Sequence, residues 1–264
     1  KDGFKYINNP NQNPYFNFSK WKSFEEIKNI KSCFYLYVQP KNSIHHNDCK
    51  SDLYSQNIQW DILKDLVKEG WEFGVHASIN SKTNIDNFLY AKSQIESKLE
   101  STIFGLRHHY WSIDWLKPYL TFRKHANAGF RYDTSIAWED SAGFRAGTCL
   151  PYNPFDPIRD KPINLFELPT CLMDGHITHV FEGHKNQLTA SKNIINSVKD
   201  CGGVAVLDWH TESFCNKYVY SGDLTSLEQI LENYVGNSDI WFATPWEIIK
   251  WWHKRSLKLI NNEY

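Results

Sequence analysis

The sequence predicts an α/β domain built on a parallel sheet, and three observations carry that prediction. Short apolar runs alternate with amphipathic helical patterns along the chain, the order that generates strand–helix–strand units. The runs are apolar at consecutive positions, as strands covered on both faces are. No repeat, low-complexity tract or Gly/Ser-rich linker divides the 264 residues. That length fits one domain whose core is large enough to hold without disulfide staples. Pattern alone leaves two architectures, an open sheet or a sheet closed as a barrel.

Strand candidates are Cys33–Val38, Glu72–Val75, Thr102–Leu106, Asn164–Leu168, Val204–Asp208 and Ile240–Phe242. The helical signals between them are clearer. Trp60, Leu63, Leu66 and Val67 line one face, and Gly70 follows as a stop. Ile85, Phe88, Leu89, Ile95 and Leu99 line another. Thr225 and Glu228 form a capping box ahead of Ile230 and Leu231. Thr244 and Glu247 do the same, with Pro245 at the first helical position. That last helix, through Trp251 and Trp252, is expected to close the core.

Composition excludes several classes. Lys+Arg 29 against Asp+Glu 30 gives a net charge of −1, so neither a nucleic-acid footprint nor an acidic tail is present. With 41% hydrophobic and 22% charged residues the chain is not a disordered one. No apolar run approaches the roughly 18 residues of a membrane helix. The six cysteines, Cys33, Cys49, Cys149, Cys171, Cys201 and Cys215, show no C-x-x-C spacing. They read as single thiols and favour a reducing compartment, the cytoplasm. Aromatic residues reach 16%, with 11 Trp, which admits two uses: indoles in a large core, or platforms for sugar rings.

In either architecture reactive residues lie just past the C-terminal ends of the strands. His76 follows the second strand candidate, and Arg107-His108-His109-Tyr110 follows the third. Glu167 and then Asp174 follow the fourth, and Asp208, His210 and Glu212 the fifth. Three histidine-bearing strand ends with an arginine and carboxylates suit a metal-assisted or acid–base hydrolase, because imidazoles and carboxylates both ligate metals and move protons. Other features are weaker. His45-His46 reads as a solvated loop, and His176, His179 and His184 have no zinc-signature spacing. The chain has no G-x-G-x-x-G, P-loop or G-x-S-x-G segment, which argues against nucleotide enzymes and serine hydrolases.

Six segments follow one another along the chain: Trp71–Asn80 (W-E-F-G-V-H-A-S-I-N), Gly105–Trp111 (G-L-R-H-H-Y-W), Gly129–Thr134 (G-F-R-Y-D-T), Gly143–Thr148 (G-F-R-A-G-T), Val206–His210 (V-L-D-W-H) and Trp241–Trp252 (W-F-A-T-P-W-E-I-I-K-W-W). Together they resemble the polysaccharide deacetylase family, the NodB-homology group of carbohydrate esterase family 4, in a divergent branch. The resemblance implies an irregular (β/α) barrel of about seven parallel strands. It implies a single domain over residues 1–264 that lacks a short native N-terminal segment. It also implies metal-dependent removal of acetyl groups from N-acetylated sugars, with a carbohydrate as substrate and zinc as the first choice of divalent metal.

The family's motifs map unevenly. His76 matches the first of two metal-binding histidines in H-[ST]-x-x-H, and Asn80 stands where the second belongs. Asn offers a carbonyl oxygen, a poorer zinc ligand than imidazole. Arg107-His108-His109-Tyr110 resembles R-x-P-Y, whose Arg orients the catalytic carboxylate, with His109 in place of Pro. Leu207-Asp208-Trp209-His210 resembles the last motif and makes His210 the general acid. The fourth motif has no clear match, although Glu167 and Asp174 lie in that part of the chain. The first motif, T-F-D-D-G, supplies the base and a metal ligand. The chain starts Lys1-Asp2-Gly3-Phe4, so Asp2 is the candidate metal ligand and the base falls at or before residue 1. A D-G dipeptide is also an ordinary turn.

The implied site thus has His210, Arg107 and Asp208 as catalytic residues. Tyr110, Trp111, Trp209 and Arg145 face the substrate, and Asp2, His76 and Asn80 hold the metal. Asp208 and His210 stand at i, i+2, which lets both point into one site. Arg145 can pair with Asp133 or Asp140, or reach an anionic substrate. Asp133 is expected to bond the local backbone. Two other functions compete. One is a non-catalytic glycan-binding barrel of the same fold, which Asn80 favours. The other is a glycosidase with Glu167 and Asp174 as its carboxyl pair.

Overall fold

The computed structural model describes residues 16–40, 45, 58–176, 184–214 and 223–260. Asp2, His46, Cys49, His179 and Cys215, with the side chains of His184 and Glu212, fall outside the described residues. The described strands are β1 (Cys33–Leu36), β2 (Glu72–Ala77), β3 (Gly105–His108), β4 (Tyr132–Asp133), β5 (Phe155–Asp156), β6 (Lys161–Pro162), β7 (Phe166–Glu167), β8 (Thr170–Met173) and β9 (Val206–Asp208). Helices alternate with them: α1 (Phe18–Ile27), α2 (Trp60–Lys68), α3 (Ile85–Leu99), α4 (Pro118–Asn127), α5 (His184–Asp200), α6 (Asp223–Leu231) and α7 (Pro245–Ile260).

β1, β2, β3, β4 and β7 lie side by side in that order, every pair parallel. β8 and β9 form a second parallel pair, and β5 and β6 a small antiparallel hairpin. The two parallel sheets adjoin. Leu168 N–H bonds Asp133 C=O at 2.9 Å, and Thr170 N–H bonds Ile136 C=O at 3.1 Å. The chain therefore passes from β7 to β8 along one neighbouring segment. Pro169, which has no N–H to give a ladder, sits at the join. This is the α/β architecture that the alternating pattern predicts.

Three helices stop in the same way before delivering the chain to a strand. After α2, Gly70 N–H bonds Val67 C=O and Trp71 N–H bonds Leu66 C=O, both at 3.0 Å. The same pair of bonds ends α4 at Gly129 and Phe130, and α5 at Gly202 and Gly203. The three stop glycines have φ of +97°, +80° and +61°, the left-handed backbone that this helix end requires. Each stop sets the register of the strand that follows. Leu36, Val75 and Leu106 from three successive strands then share one core with Leu63, Phe88 and Ile95 from α2 and α3.

Some elements differ from expectation. The strand expected at Thr102–Leu106 begins at Gly105, that expected at Asn164–Leu168 shortens to β7, and a further strand, β8, follows Pro169. Ile240–Phe242 is extended but unpaired among the described strands, because a turn from Asn237 to Ile240 leads directly into the start of α7. Thr225 lies inside α6 rather than at its cap, since that helix already begins at Asp223. The Thr244 cap is present, with its N–H on Glu247 Oε2 at 2.9 Å. Trp251 is 48% exposed; its indole meets Trp241 edge-on at 6.3 Å instead of entering the core.

One contact at the N-terminal end of the strands ties the sheet to its last helix. Tyr132 is fully buried, and its hydroxyl donates to Glu72 Oε1 at 2.5 Å. The other oxygen of Glu72 accepts Trp246 N–H, at the start of α7, at 2.8 Å, where a helix N-terminus welcomes an acidic group. Gly105 makes room for this arrangement. A Cβ there would sit 1.9 Å from the Tyr132 ring. Gly105→Ala is accordingly expected to cost at least about 1–3 kcal/mol through overpacking. Thermal or denaturant unfolding that leaves the alanine variant as stable as the parent would contradict this.

Candidate active site

β2, β3 and β9 end on the same rim. Register places His76 beside Arg107 and Ala77 beside His108, while Met173 of β8 lies beside Asp208 of β9. Arg107 is 7% exposed. One of its terminal nitrogens pairs with Asp208 Oδ1, Nε–H donates to Thr134 Oγ1 at 2.9 Å, and its carbon lies 4.6 Å from the centre of the Tyr35 ring. Removing one partner of such an enclosed pair costs about 3–5 kcal/mol, because the other charge is left stranded. Arg107 therefore holds a specific carboxylate in place, and that carboxylate is Asp208.

His210 lies two residues beyond Asp208. Its Nδ1 is 2.9 and 3.1 Å from the two oxygens of Asp174, and its own backbone N–H donates to Asp174 Oδ2 at 2.9 Å. Asp174 is wholly buried, and the His210 side chain is 36% exposed. A carboxylate accepts only, so Nδ1 carries the proton and Nε2 is the second ring nitrogen. Asp174 is thus the partner that the sequence left unmatched. It also explains why neither Asp174 nor Glu167 suits a glycosidase. Asp174 is taken up by His210, and Glu167, fully buried, receives Ile136 N–H at 2.8 Å.

His76 completes the rim. Its Nδ1 lies 3.1 Å from Arg107 C=O. A carbonyl cannot donate, so Nδ1 does, and Nε2 keeps its lone pair. Burial, then the charges of His109, His210 and Arg107, holds the His76 pKa well below the usual imidazole value. Its ring meets those of His109 and Tyr37 edge-on at 5.1 and 6.2 Å. His109, noted in the sequence as a replacement for Pro, is thus a neighbour of His76.

The remaining candidates divide. Tyr110 and Trp111 both adopt left-handed backbone, with φ of +52° and +48°, a conformation that costs a side-chain-bearing residue energy. The turn puts Tyr110 outside, 55% exposed, and Trp111 inside, 5% exposed. Trp111 therefore lies buried beside Arg107, 5.8 Å from its guanidinium carbon, instead of offering an open face to sugar. Trp209 is partly buried between two apolar clusters. Arg145 pairs with neither Asp133 nor Asp140; it stacks on Trp115 and Trp138. Asn80 lies in the short 3₁₀ turn Ile79–Lys82, where its backbone carbonyl accepts Thr83 N–H and Oγ1–H at 3.3 and 3.0 Å. Among the described residues no group of three or more His, Cys, Asp or Glu side chains is arranged to hold a metal. A surface recess lined by Lys31, Glu69 and Trp71 lies at the opposite end of the strands.

Behind the rim is a buried polar chain that the sequence reading did not find. His108 Nε2 meets His125 Nε2 at 2.9 Å, so the two rings share one N–H. His125 Nδ1 lies 3.3 Å from Asp133 Oδ2, within ion-pair reach but off hydrogen-bond alignment. Asp133 Oδ1 accepts Ser135 N–H at 3.1 Å, the local backbone role expected of it. Burial, then its proximity to Asp133, pushes Glu167 well above the usual carboxylate range. Burial and His125 push His108 from 6.5 down to about 3.

The sign of the resulting pH effect follows. The unfolded chain protonates His108 near 6.5 and the folded chain only near 3. Its contribution to stability is therefore complete above pH 6.5 and drains as pH falls toward 3, at up to about 1.36 kcal/mol per pH unit. His108→Gln is expected to lose stability less steeply than the parent between about pH 6.5 and 4. Equal slopes in denaturant titrations would rule this out.

No family model matches the sequence, and no curated protein is similar to it. Solved structures are similar in shape. One is a "putative polysaccharide deacetylase from Mycobacterium smegmatis", 16% identical, which aligns over 97% of this chain and 87% of its own with a TM-score of 0.65. Another is the Xyl-CE4 domain of a multidomain xylanase from the hindgut metagenome of Trinervitermes trinervoides, 12% identical over 89% of this chain and 84% of its own, with a TM-score of 0.45. At these identities the likeness concerns the fold. The parallel strand order and a superposition over 97% of this chain agree: the chain has the fold of that polysaccharide deacetylase structure.

Proposed function

We propose that the protein is a hydrolase that removes acetyl groups from N-acetylated sugars. The observation that supports this best is the Asp174–His210 pair beside the Arg107–Asp208 pair, at the strand ends of a deacetylase fold. Amide hydrolysis needs a base to activate water and an acid to protonate the departing nitrogen. Asp208, oriented by Arg107, is the base. His210 is the acid: Asp174 orients its ring and steadies the imidazolium form, and Nε2 delivers the proton. Tyr110, exposed on the rim, contacts the sugar and donates to the developing oxyanion.

A divalent metal is part of the proposal, with zinc the first choice. His76 offers a neutral imidazole nitrogen, the form that ligates zinc, and Asn80 and Asp2 are the further candidates. The described side chains alone do not form a three-ligand site, so no step above passes through a metal. A second reading draws on the same observation. With Asn80 in place of a histidine, the barrel binds glycan without turning it over.

Acetate release from N-acetylated chito-oligosaccharides separates the two. The parent is expected to release acetate, and His210→Ala to lower kcat by about 10²–10⁴-fold while still binding glycan. Metal analysis of the native full-length protein is expected to find a stoichiometric divalent ion whose chelation stops the reaction. An inactive parent that binds glycan supports the binding barrel. Activity that survives both the alanine substitution and chelation overturns the mechanism.

A further inference from the structure

Arg145 lies in the loop after β4, against two indoles. Its guanidinium carbon is 3.3 Å from the ring centre of Trp115 and 4.9 Å from that of Trp138. Trp115 comes from the loop after β3, and Trp138 from the same loop as Arg145. The clamp is therefore built on the rim that carries His210. The link between them is short. His176 Nε2 donates to Trp138 C=O at 3.0 Å, and His176 lies two residues past Asp174, the partner of His210.

Among the described residues no carboxylate pairs with Arg145. Its hydrogen bond within the chain is a long one, from Nη1 to Ala137 C=O at 3.3 Å. Asp140, in the same loop, accepts from Ser141 instead. Indole faces hold a cation through their electron-rich surface without neutralising its charge. Stacking uses the face of the guanidinium, whereas its N–H donors lie in its plane and match a carboxylate two at a time. Trp115 and Trp138 are 39% and 40% exposed, so apolar ring surface for a sugar adjoins the charge.

We propose that Arg145, held by Trp115 and Trp138, is a subsite for the carboxylate of an acidic sugar, and that the site takes an anionic glycan in preference to a neutral one. One guanidinium supplies one positive charge, which fits a carboxylate; a phosphate monoester dianion calls for a second cation. Identifying this sugar as substrate rests on the deacetylase reading; its binding does not.

The test is a tryptophan-fluorescence titration of the full chain at low salt with sodium methyl β-D-glucuronide, methyl β-D-glucoside and inorganic phosphate. The parent is expected to bind the glucuronide at least about tenfold more tightly than the glucoside, with the margin shrinking as salt is added. Arg145→Met is expected to remove the margin, and Arg145→Lys to keep part of it. Equal affinities in the parent, tighter binding of phosphate than of glucuronide, or an undiminished margin in a folded Arg145→Met variant would overturn the subsite. The parent comparison does not depend on how any variant folds. A parent that prefers glucuronide but releases acetate neither from chito-oligosaccharides nor from N-acetylated glycans that carry a uronic acid sinks the deacetylase reading and supports the subsite.

Discussion

The enclosed ion pair between Arg107 and Asp208 is the contact on which the rim depends. Arg107 is the last residue but one of a strand of the five-stranded sheet, and Asp208 ends a strand of the smaller one. The pair therefore joins the two sheets at the rim. An arginine this far from water is tolerated because Asp208 answers it by charge, Thr134 by a hydroxyl and Tyr35 by a ring face. The backbone carbonyl of the same residue fixes the tautomer of His76. One position thus sets a carboxylate on one neighbour and a lone pair on the other.

The second pair, Asp174 with His210, works by the same logic but faces outward. Asp174 is buried and the His210 imidazole half-exposed, so the carboxylate acts on the ring from within the protein. His176, further along the same turn, bonds the backbone of Trp138. The turn that carries Asp174 thereby connects the acid with the aromatic loop around Arg145.

Beneath the rim, His108, His125, Asp133 and Glu167 form a layer of titratable groups with almost no access to water. Such a layer is costly unless its members satisfy one another. Here the histidines share a proton, Asp133 Oδ1 takes the Ser135 backbone and Glu167 Oε1 that of Ile136, while the second nitrogen of each histidine and the second oxygen of each acid lack an aligned hydrogen bond. These bonds fix the 132–136 segment, from which Thr134 supports Arg107. The Arg107–His109 segment that closes β3 thus has two roles: Arg107 and His109 face the site, and His108 faces the foundation beneath it.

The sequence by itself determined the α/β class, the stop at Gly70, the Thr244 cap and the strand ends at His76, Arg107 and His210. These are written in local terms: apolar periodicity, glycine at a helix end, a polar residue after an apolar run. Only the tertiary structure decided which charges meet. Asp174 and His210 are 36 residues apart, and Arg107 and Asp208 are 101; no spacing rule encodes pairings made across strands so distant in the chain. Trp111 and Tyr110 illustrate the same limit. Adjacent in sequence and alike in chemistry, one is buried and the other exposed because of two left-handed backbone angles. Arg145 was legible as a candidate but not as a clamp, since Trp115 reaches it from a different loop. Local pattern sets what each segment becomes; burial and charge are properties of the neighbours that folding brings.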